Sequence, residues 1–175
     1  LRTPGRGSNH WSSGSYPNAR SRTKLTAAQI SAFMPSSPGP FTFPAPWNTT
    51  GVRLTNASDC GGGNCVQPVG YSYWRNINNH VGSNEMLIMI GMSRNAGGTG
   101  PTLIRYNKST DQVINSGPLF PSNSSYGSHS GEGFYFSGTQ QNKLYVFSNA
   151  SLQRYDVQSQ QFETVFNLNE EMGSG

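Results

Sequence analysis

The 175-residue sequence predicts an all-β fold, with four-stranded antiparallel, β-propeller-like blades that follow an irregular Pro- and Gly-rich N-terminal arm. Three observations lead to this prediction. Small polar residues dominate, with 21 Gly, 24 Ser and 17 Asn, whereas hydrophobic residues make up only 33% of the chain and charged residues 11%. From residue 51 onward, short apolar runs alternate with turns that contain Gly, Asn or Pro. One strand–turn–strand segment recurs after 49 residues.

The composition also excludes several classes of protein. Helical bundles, coiled coils and charged disordered tails need far more Ala, Leu, Glu and Lys than this chain contains. No stretch approaches the roughly 18 consecutive apolar residues of a membrane-spanning helix, so no membrane span is predicted.

Residues 1–50 are predicted to form an irregular basic arm. Residues 1–58 carry six bases and no acid, whereas residues 59–175 carry six bases and eight acids. The bases of the arm form no run and do not alternate with aromatic residues, so no specific nucleic-acid partner is predicted. A solvated arm and a functional contact with an anion both remain open.

Two local structures are expected within this arm. Thr26 is placed to cap a short helix over residues 26–33, which must end before Pro35. The segment 34–47 holds five prolines, and each proline lacks the N–H that a central strand requires. This segment is therefore expected to run extended along the surface, anchored by Phe41, Phe43 and Trp47.

Cys60 and Cys65 are predicted to form a disulfide. The four residues between them include three glycines, which allow a turn tight enough to bring the two Cα atoms within bonding range. Free thiols are the alternative. A zinc site would need four ligands, and no second Cys pair or close His pair accompanies these residues, so neither a metal nor a cofactor is predicted. A disulfide, scarce Lys and abundant Asn, Ser and Gly favour a secreted or extracellular protein, and this prediction leaves open the bacterial periplasm and the cell surface.

The internal repeat aligns Leu103–Val113 with Leu152–Phe162, and four of the eleven positions are identical. Each copy has the pattern of a strand that ends in Arg-Tyr, a polar turn and a returning strand. Two unrelated hairpins with a common turn pattern are the alternative interpretation.

The segments before each copy extend the pattern. Aromatic runs at 71–75 and 133–137 and apolar runs at 85–92 and 143–148 precede the repeated strands, and closing strands are expected near 113–119 and 162–168. A four-stranded unit that repeats at about 50 residues is typical of a propeller blade. Residues 51–175 are therefore predicted to hold two blades, at about 66–120 and 128–168.

Two stretches carry a family resemblance, GYSYWRNINNHVGSNEMLIMIGMSRNAGGTGPTLIRYNKSTDQV and SGEGFYFSGTQQNKLYVFSNASLQRYDVQSQQFETVF. They resemble secreted bacterial β-propellers, which are distantly similar to TolB-like and oligogalacturonate-lyase-type propellers. The resemblance covers roughly residues 50–170 and implies about six to eight blades. A closed ring of that size needs roughly 300–400 residues. The chain is therefore expected to be an N-terminal piece of a longer protein or to assemble from several copies.

A ligand site is predicted at one end of the blades, because equivalent loops of successive blades face a common axis. Familiar catalytic motifs do not occur in the sequence. His129 and Glu132, in a Gly-flanked loop, are the candidates for acid–base chemistry. The predicted ligand-binding residues are aromatic or cationic, namely Tyr73, Trp74, Arg75, His80 and Arg94. In the alternative interpretation, Trp74 packs between blades and both histidines are exposed loop residues.

Three functions follow from these features. The first is a recognition module for a glycan or a protein, which agrees with the repeat and with the missing catalytic motif. The second is a polysaccharide lyase or hydrolase on the same scaffold. The third is a structural subunit of an extracellular assembly, in which copies of the chain associate with one another.

Overall fold

Antiparallel strands form most of the regular structure, which confirms the predicted all-β class. The computed structural model describes residues 24–67, 75–128 and 133–173. Its strands are, in chain order, β1 (Gly39–Thr42), β2 (Thr50–Arg53), β3 (Val66–Gln67), β4 (Ile77–Asn79), β5 (Glu85–Met92), β6 (Gly100–Asn107), β7 (Gln112–Pro118), β8 (Phe134–Phe136), β9 (Lys143–Ser148), β10 (Ser151–Asp156) and β11 (Gln161–Asn167). The helices are α1 (Ala27–Phe33), α2 (Leu168–Met172) and the short 3-10 helices Ala57–Cys60, Arg94–Ala96 and Ser125–Ser128.

The chain divides into two units, residues 1–32 and 33–175. Most of α1 belongs to the first unit, and Thr26 caps this helix. The Gln29 N–H donates a hydrogen bond to Thr26 Oγ1 at 3.2 Å, and the Thr26 N–H donates to Gln29 Oε1 at 2.8 Å. This reciprocal pair satisfies two backbone donors that a helix start otherwise leaves unpaired.

In the second unit, the proline-rich segment contains β1, which pairs with β2 in a two-stranded sheet. Both strands of such a sheet are edges, so Pro40 deprives no central ladder of a donor. The Phe41 and Phe43 rings lie 4.9 Å apart, and Phe33 lies 5.6 Å from Phe43. A Cβ at Gly51 would lie 2.7 Å from the Phe41 ring, so the glycine makes room for this aromatic group.

Two larger sheets follow, and both are antiparallel meanders in chain order. In the first sheet, β5, β6 and β7 are successive neighbours, and both β3 and β4 pair with β5. The strands β3 and β4 pair with opposite ends of β5, so together they occupy one row. The second sheet consists of β8, β9, β10 and β11. Each sheet therefore has four rows of strands.

The β6–β7 and β10–β11 hairpins have the same register. Tyr106 lies opposite Val113 in the first hairpin, and Tyr155 lies opposite Phe162 in the second. These four residues are the ones that the sequence repeat aligns with one another. Equal register places the aligned side chains on corresponding faces of their sheets.

The turns of the two hairpins also match. Asn107 Oδ1 accepts a hydrogen bond from the N–H two residues later at 2.9 Å, and Asp156 Oδ1 accepts the equivalent bond at 2.8 Å. Asp111 and Gln160, the last residues of the two turns, have φ values of 55° and 58°. A side-chain acceptor at the start and a left-handed residue at the end close both turns in the same way.

The first row of the first sheet differs from the prediction. The expected strand at 71–75 lies largely outside the described residues, and the segment Ile77–Asn79, for which no strand is predicted, forms β4. Asn78 is buried, and its side-chain amide donates a hydrogen bond to the Gln141 carbonyl at 2.5 Å. This contact with the second sheet stabilises a strand in a sequence that has low intrinsic strand propensity.

The core lies between facing sides of the two sheets and includes the connector between β7 and β8. Its buried side chains come from β5 and β6, from the connector and from β8 to β10 and the turn after it, namely Leu87, Met89, Leu103, Leu119, Phe120, Tyr126, Phe134, Phe136, Leu144, Val146, Tyr155 and Val157. The Tyr155 hydroxyl donates a hydrogen bond to the Leu119 carbonyl at 2.9 Å. Burial raises the pKa of Tyr155 to about 12.

Cys60 and Cys65 form a disulfide, as predicted. Both residues are buried and pack against Met92 at the end of β5. The Ser93 N–H donates a hydrogen bond to the Cys65 carbonyl at 2.7 Å. A Cβ at Gly97 would lie only 2.8 Å from the Cys60 carbonyl oxygen. The disulfide loop therefore packs directly against the long β5–β6 loop.

Candidate functional site

The predicted ligand residues that can be located lie at opposite ends of the first sheet. His80 is in the turn before β5, and Arg94 is in the loop after it. Eight strand residues span about 26 Å at about 3.3 Å per residue. His80 and Arg94 therefore do not contribute to one compact site.

Arg75 and His80 are brought together at the turn between β8 and β9. His80 Nε2 lies 3.2 Å from the Ser137 carbonyl oxygen, which accepts a hydrogen bond from the tautomer protonated at Nε2. The Arg75 carbonyl accepts a hydrogen bond from the Phe136 N–H at 3.1 Å. The Arg75 guanidinium lies 2.6 Å from the position that a Cβ at Gly138 would occupy. Both residues thus join the first row of one sheet to the first row of the other.

Arg94 connects the β5–β6 loop to the connector. Its Nε donates a hydrogen bond to the Thr99 carbonyl at 3.3 Å. Its guanidinium lies 3.0 Å from the position that a Cβ at Gly127 would occupy. Gly127 belongs to the 3-10 helix of the connector, so the contacts of Arg94 hold this end of the fold together.

The remaining predicted site residues, Tyr73, Trp74, His129 and Glu132, lie outside the described residues. Within the described ranges, no three His, Cys, Asp or Glu side chains cluster in a way that could hold a metal ion. In the same part of the chain, no helix is both long and apolar enough to span a membrane.

A polar cleft lies between the connector and the β10–β11 hairpin. Its volume is about 540 Å³, within the usual range for small-molecule sites. Its walls are formed by amide and hydroxyl side chains together with one proline and one aromatic ring, namely Pro121, Asn123, Ser124, Ser159, Gln160, Gln161 and Phe162. None of these residues carries a charge at neutral pH.

Packing against the core positions the aromatic wall of the cleft. The Phe162 ring lies 4.5 Å from Tyr155 and stacks on Tyr126 at 5.3 Å with an interplanar angle of 27°. Phe120 stacks on Phe162 from 6.0 Å. Aromatic rings held on several sides have little freedom to reorient, so this wall is preorganised.

Local hydrogen bonds position the two polar walls. On the connector, the Ser124 N–H donates to the Pro121 carbonyl at 2.9 Å, and Ser124 Oγ accepts from the Tyr126 N–H at 3.2 Å. On the hairpin, the Ser159 N–H donates to Asp156 Oδ1 at 2.9 Å. Both walls are therefore turns closed by internal hydrogen bonds.

Asp156 supports the cleft electrostatically without lining it. Partial burial disfavours its charged form, but hydrogen bonds from Lys143 and from the Ser159 and Gln158 N–H groups outweigh this effect and lower its pKa to about 2. Lys143 Nζ lies 2.6 Å from Asp156 Oδ2. The carboxylate is therefore ionised at neutral pH and anchors the turn that carries Ser159.

The cleft was missed because its two walls are distant in sequence. The repeat contained one signal, since Phe162 stands where the first copy has Val113. An aromatic residue in place of a smaller apolar residue in an otherwise similar turn marks a local change of environment. The connector residues Asn123 and Ser124 carry no comparable signal, because Asn and Ser are abundant throughout the chain.

Comparison with protein families, curated proteins and solved structures finds no match to this chain. The cleft and its chemistry are therefore the basis for assigning a function. Amide and hydroxyl groups both donate and accept hydrogen bonds, and Phe162 adds an apolar surface. This combination suits a polar, uncharged ligand.

Proposed function

We propose that this chain is an exported recognition module that binds a neutral glycan, and that its two large sheets are adjacent blades of a β-propeller. The cleft between the connector and the β10–β11 hairpin carries the binding part of the proposal. Sugar hydroxyls pair with side chains that both donate and accept hydrogen bonds, as Gln161, Asn123 and Ser159 do. The apolar face of a sugar ring packs on an aromatic side chain such as Phe162.

The arrangement of the sheets supports the propeller part of the proposal. Both are meanders in chain order, and Asn78 and His80 at the first row of one contact the turn that follows the first strand of the other. Blades of a propeller have the same order, with the first strand of each blade nearest the central axis. The packing of one sheet face on another agrees with this arrangement.

The Cys60–Cys65 disulfide supports export. Disulfides persist in oxidising compartments and are rare where glutathione and thioredoxin keep thiols reduced. Extracellular polysaccharides are neutral or acidic, and the uncharged lining of the cleft favours the neutral ones. The lining residues that the structure describes include no carboxylate or imidazole for acid–base chemistry, so they support binding without turnover.

Calorimetric titration with a panel of neutral and acidic polysaccharides tests the proposal. We expect binding to a neutral glycan, and we expect Gln161→Ala to weaken it about 5- to 30-fold, because a hydrogen bond in a binding site contributes roughly 1–2 kcal/mol. Gln112→Ala is the matched control, because Gln112 holds the equivalent position in the first hairpin, away from the cleft.

Two results would overturn the proposal. Equal losses in both variants would show that the cleft is not the binding site, and binding of acidic glycans alone would contradict its uncharged lining. The same panel also detects turnover. Unsaturated or reducing-end products that disappear in Glu132→Gln or His129→Ala would favour the enzyme hypothesis instead.

A further inference from the structure

The second sheet has one face in the core and an opposite face that is exposed. The exposed side, called here the outer face, includes Tyr145, Phe147, Leu152, Arg154, Glu163 and Phe166. Leu152 lies between Phe147 and Phe166 on the two neighbouring strands, so these residues form one continuous apolar row. Phe147 is 54% exposed and Phe166 is 42% exposed. An aromatic row of this kind on the surface marks an interaction site.

The equivalent face of the first sheet packs against the second sheet. Its β5 and β6 strands pair in the same register as β9 and β10, which makes four pairs of positions equivalent, namely Leu87 and Tyr145, Met89 and Phe147, Leu103 and Leu152, and Arg105 and Arg154. On the first sheet, Leu87, Met89 and Leu103 are buried in the core against the second sheet. The outer face therefore has the pattern of a surface that packs against another sheet.

We propose that the outer face is the contact surface between two copies of this chain related by a two-fold axis. Its charges are self-complementary, because Arg154 and Glu163 lie side by side with Nη2 2.6 Å from Oε2. A two-fold axis sets the cation of one copy opposite the anion of its partner and brings the two apolar rows together. The Glu163 side chain is 61% exposed and so accessible to a partner.

The dimensions of the face set the expected strength of the contact. Four strands about 4.8 Å apart, with about six residues at about 3.3 Å each, cover roughly 400 Å² per copy in projection. This area is smaller than the roughly 600–1,000 Å² per partner of standard specific interfaces and falls in the range of weak, transient contacts. We therefore expect a dimer with a dissociation constant in the micromolar range. Gln161, which lines the cleft, lies on this face two residues before Glu163, so the contact borders the cleft but does not require glycan binding. In the proposed propeller this face would pack against the next blade, and the dimer is proposed for the present chain alone.

Sedimentation velocity of the disulfide-bonded chain, from about 1 to about 300 μM, tests the proposal. We expect the mass to rise with concentration from 19.0 kDa to twice that value. Phe147→Asp should raise the dissociation constant at least about tenfold, because it places a charge at the centre of the apolar row. Val81→Asp is the control, since Val81 is a fully exposed apolar side chain in a turn and should leave the dimer unchanged. Circular dichroism confirms that each variant is folded.

A charge exchange tests the two-fold arrangement. Arg154→Glu alone and Glu163→Arg alone should each weaken the dimer, because like charges then face one another. A mixture of the two variants should restore it, since each copy then meets an opposite charge at both positions. A monomer at every concentration, a mixture that does not recover, or a mass that grows beyond two copies would overturn the proposal.

Discussion

Tyr155 links the second large sheet to the connector, because its buried hydroxyl donates a hydrogen bond to the Leu119 carbonyl. Tyr155→Phe leaves that carbonyl without its donor and should lower the free energy of unfolding by about 1–3 kcal/mol. Tyr106→Phe is the control, because the equivalent hydroxyl donates to Asp111 at the surface. It should cost less than about 0.5 kcal/mol. Urea unfolding measures both, and equal losses would contradict the assigned role.

Asp156 should make the stability depend on pH in the acid range. Its pKa is lowered from 3.8 to about 2, so its stabilisation is fully present above about pH 4 and is lost as the pH falls towards 2. The shift corresponds to at most about 2 kcal/mol. Asp156→Asn should therefore be less stable than the native chain at pH 7 but equally stable near pH 2. The stability that Lys143→Gln loses relative to the native chain should also be large at pH 7 and small near pH 2. A loss of stability that is the same at both pH values would contradict this prediction.

At the scale of elements, the β5–β6 loop depends on a close approach to the disulfide loop. Gly97 has a φ of +84°, and a Cβ there would lie 2.8 Å from the Cys60 carbonyl oxygen. Gly82 has a similar φ of +82°, but a Cβ there would meet open space. Gly82→Ala should cost about 1–2 kcal/mol through backbone strain alone. Gly97→Ala should lower the free energy of unfolding by at least about 1 kcal/mol beyond the loss in Gly82→Ala, because its Cβ also meets the Cys60 carbonyl. Thermal unfolding compares the two, and equal costs would show that the contact with Cys60 is relaxed without loss.

Structural elements that are determined by residues close together in the chain could be predicted from the sequence. The two hairpins were located because polar turns and apolar strands follow one another within a few residues, and the cysteine pair was recognised because its spacer is short and rich in glycine. The strand β4 was not predicted, because Asn78 owes its place to a hydrogen bond with Gln141, a residue 63 positions away. The cleft could not be predicted for the same reason, since its walls meet only through tertiary packing.

At the scale of the whole molecule, the ends of the sheets have different roles. The His80 end joins the two sheets through polar contacts with the turn between β8 and β9. The Arg94 end joins the disulfide loop, the long loop and the connector. The sequence predicts one ligand site for both residues, because equivalent loops of successive blades are expected to lie at the same end. The alignment of loops does not show that the eight residues of β5 separate His80 from Arg94.

The meander order of the two sheets has a consequence for folding kinetics. Every neighbouring pair among β5, β6 and β7, and among β8 to β11, joins strands that follow one another in the chain. The loops within each sheet are therefore short, and their closure is fast. Contacts that join the first sheet to the second half of the chain, such as that of Asn78 with Gln141, link residues 63 positions apart. We expect each meander to form from its own stretch of chain, and the association of the two preformed halves to determine the folding rate.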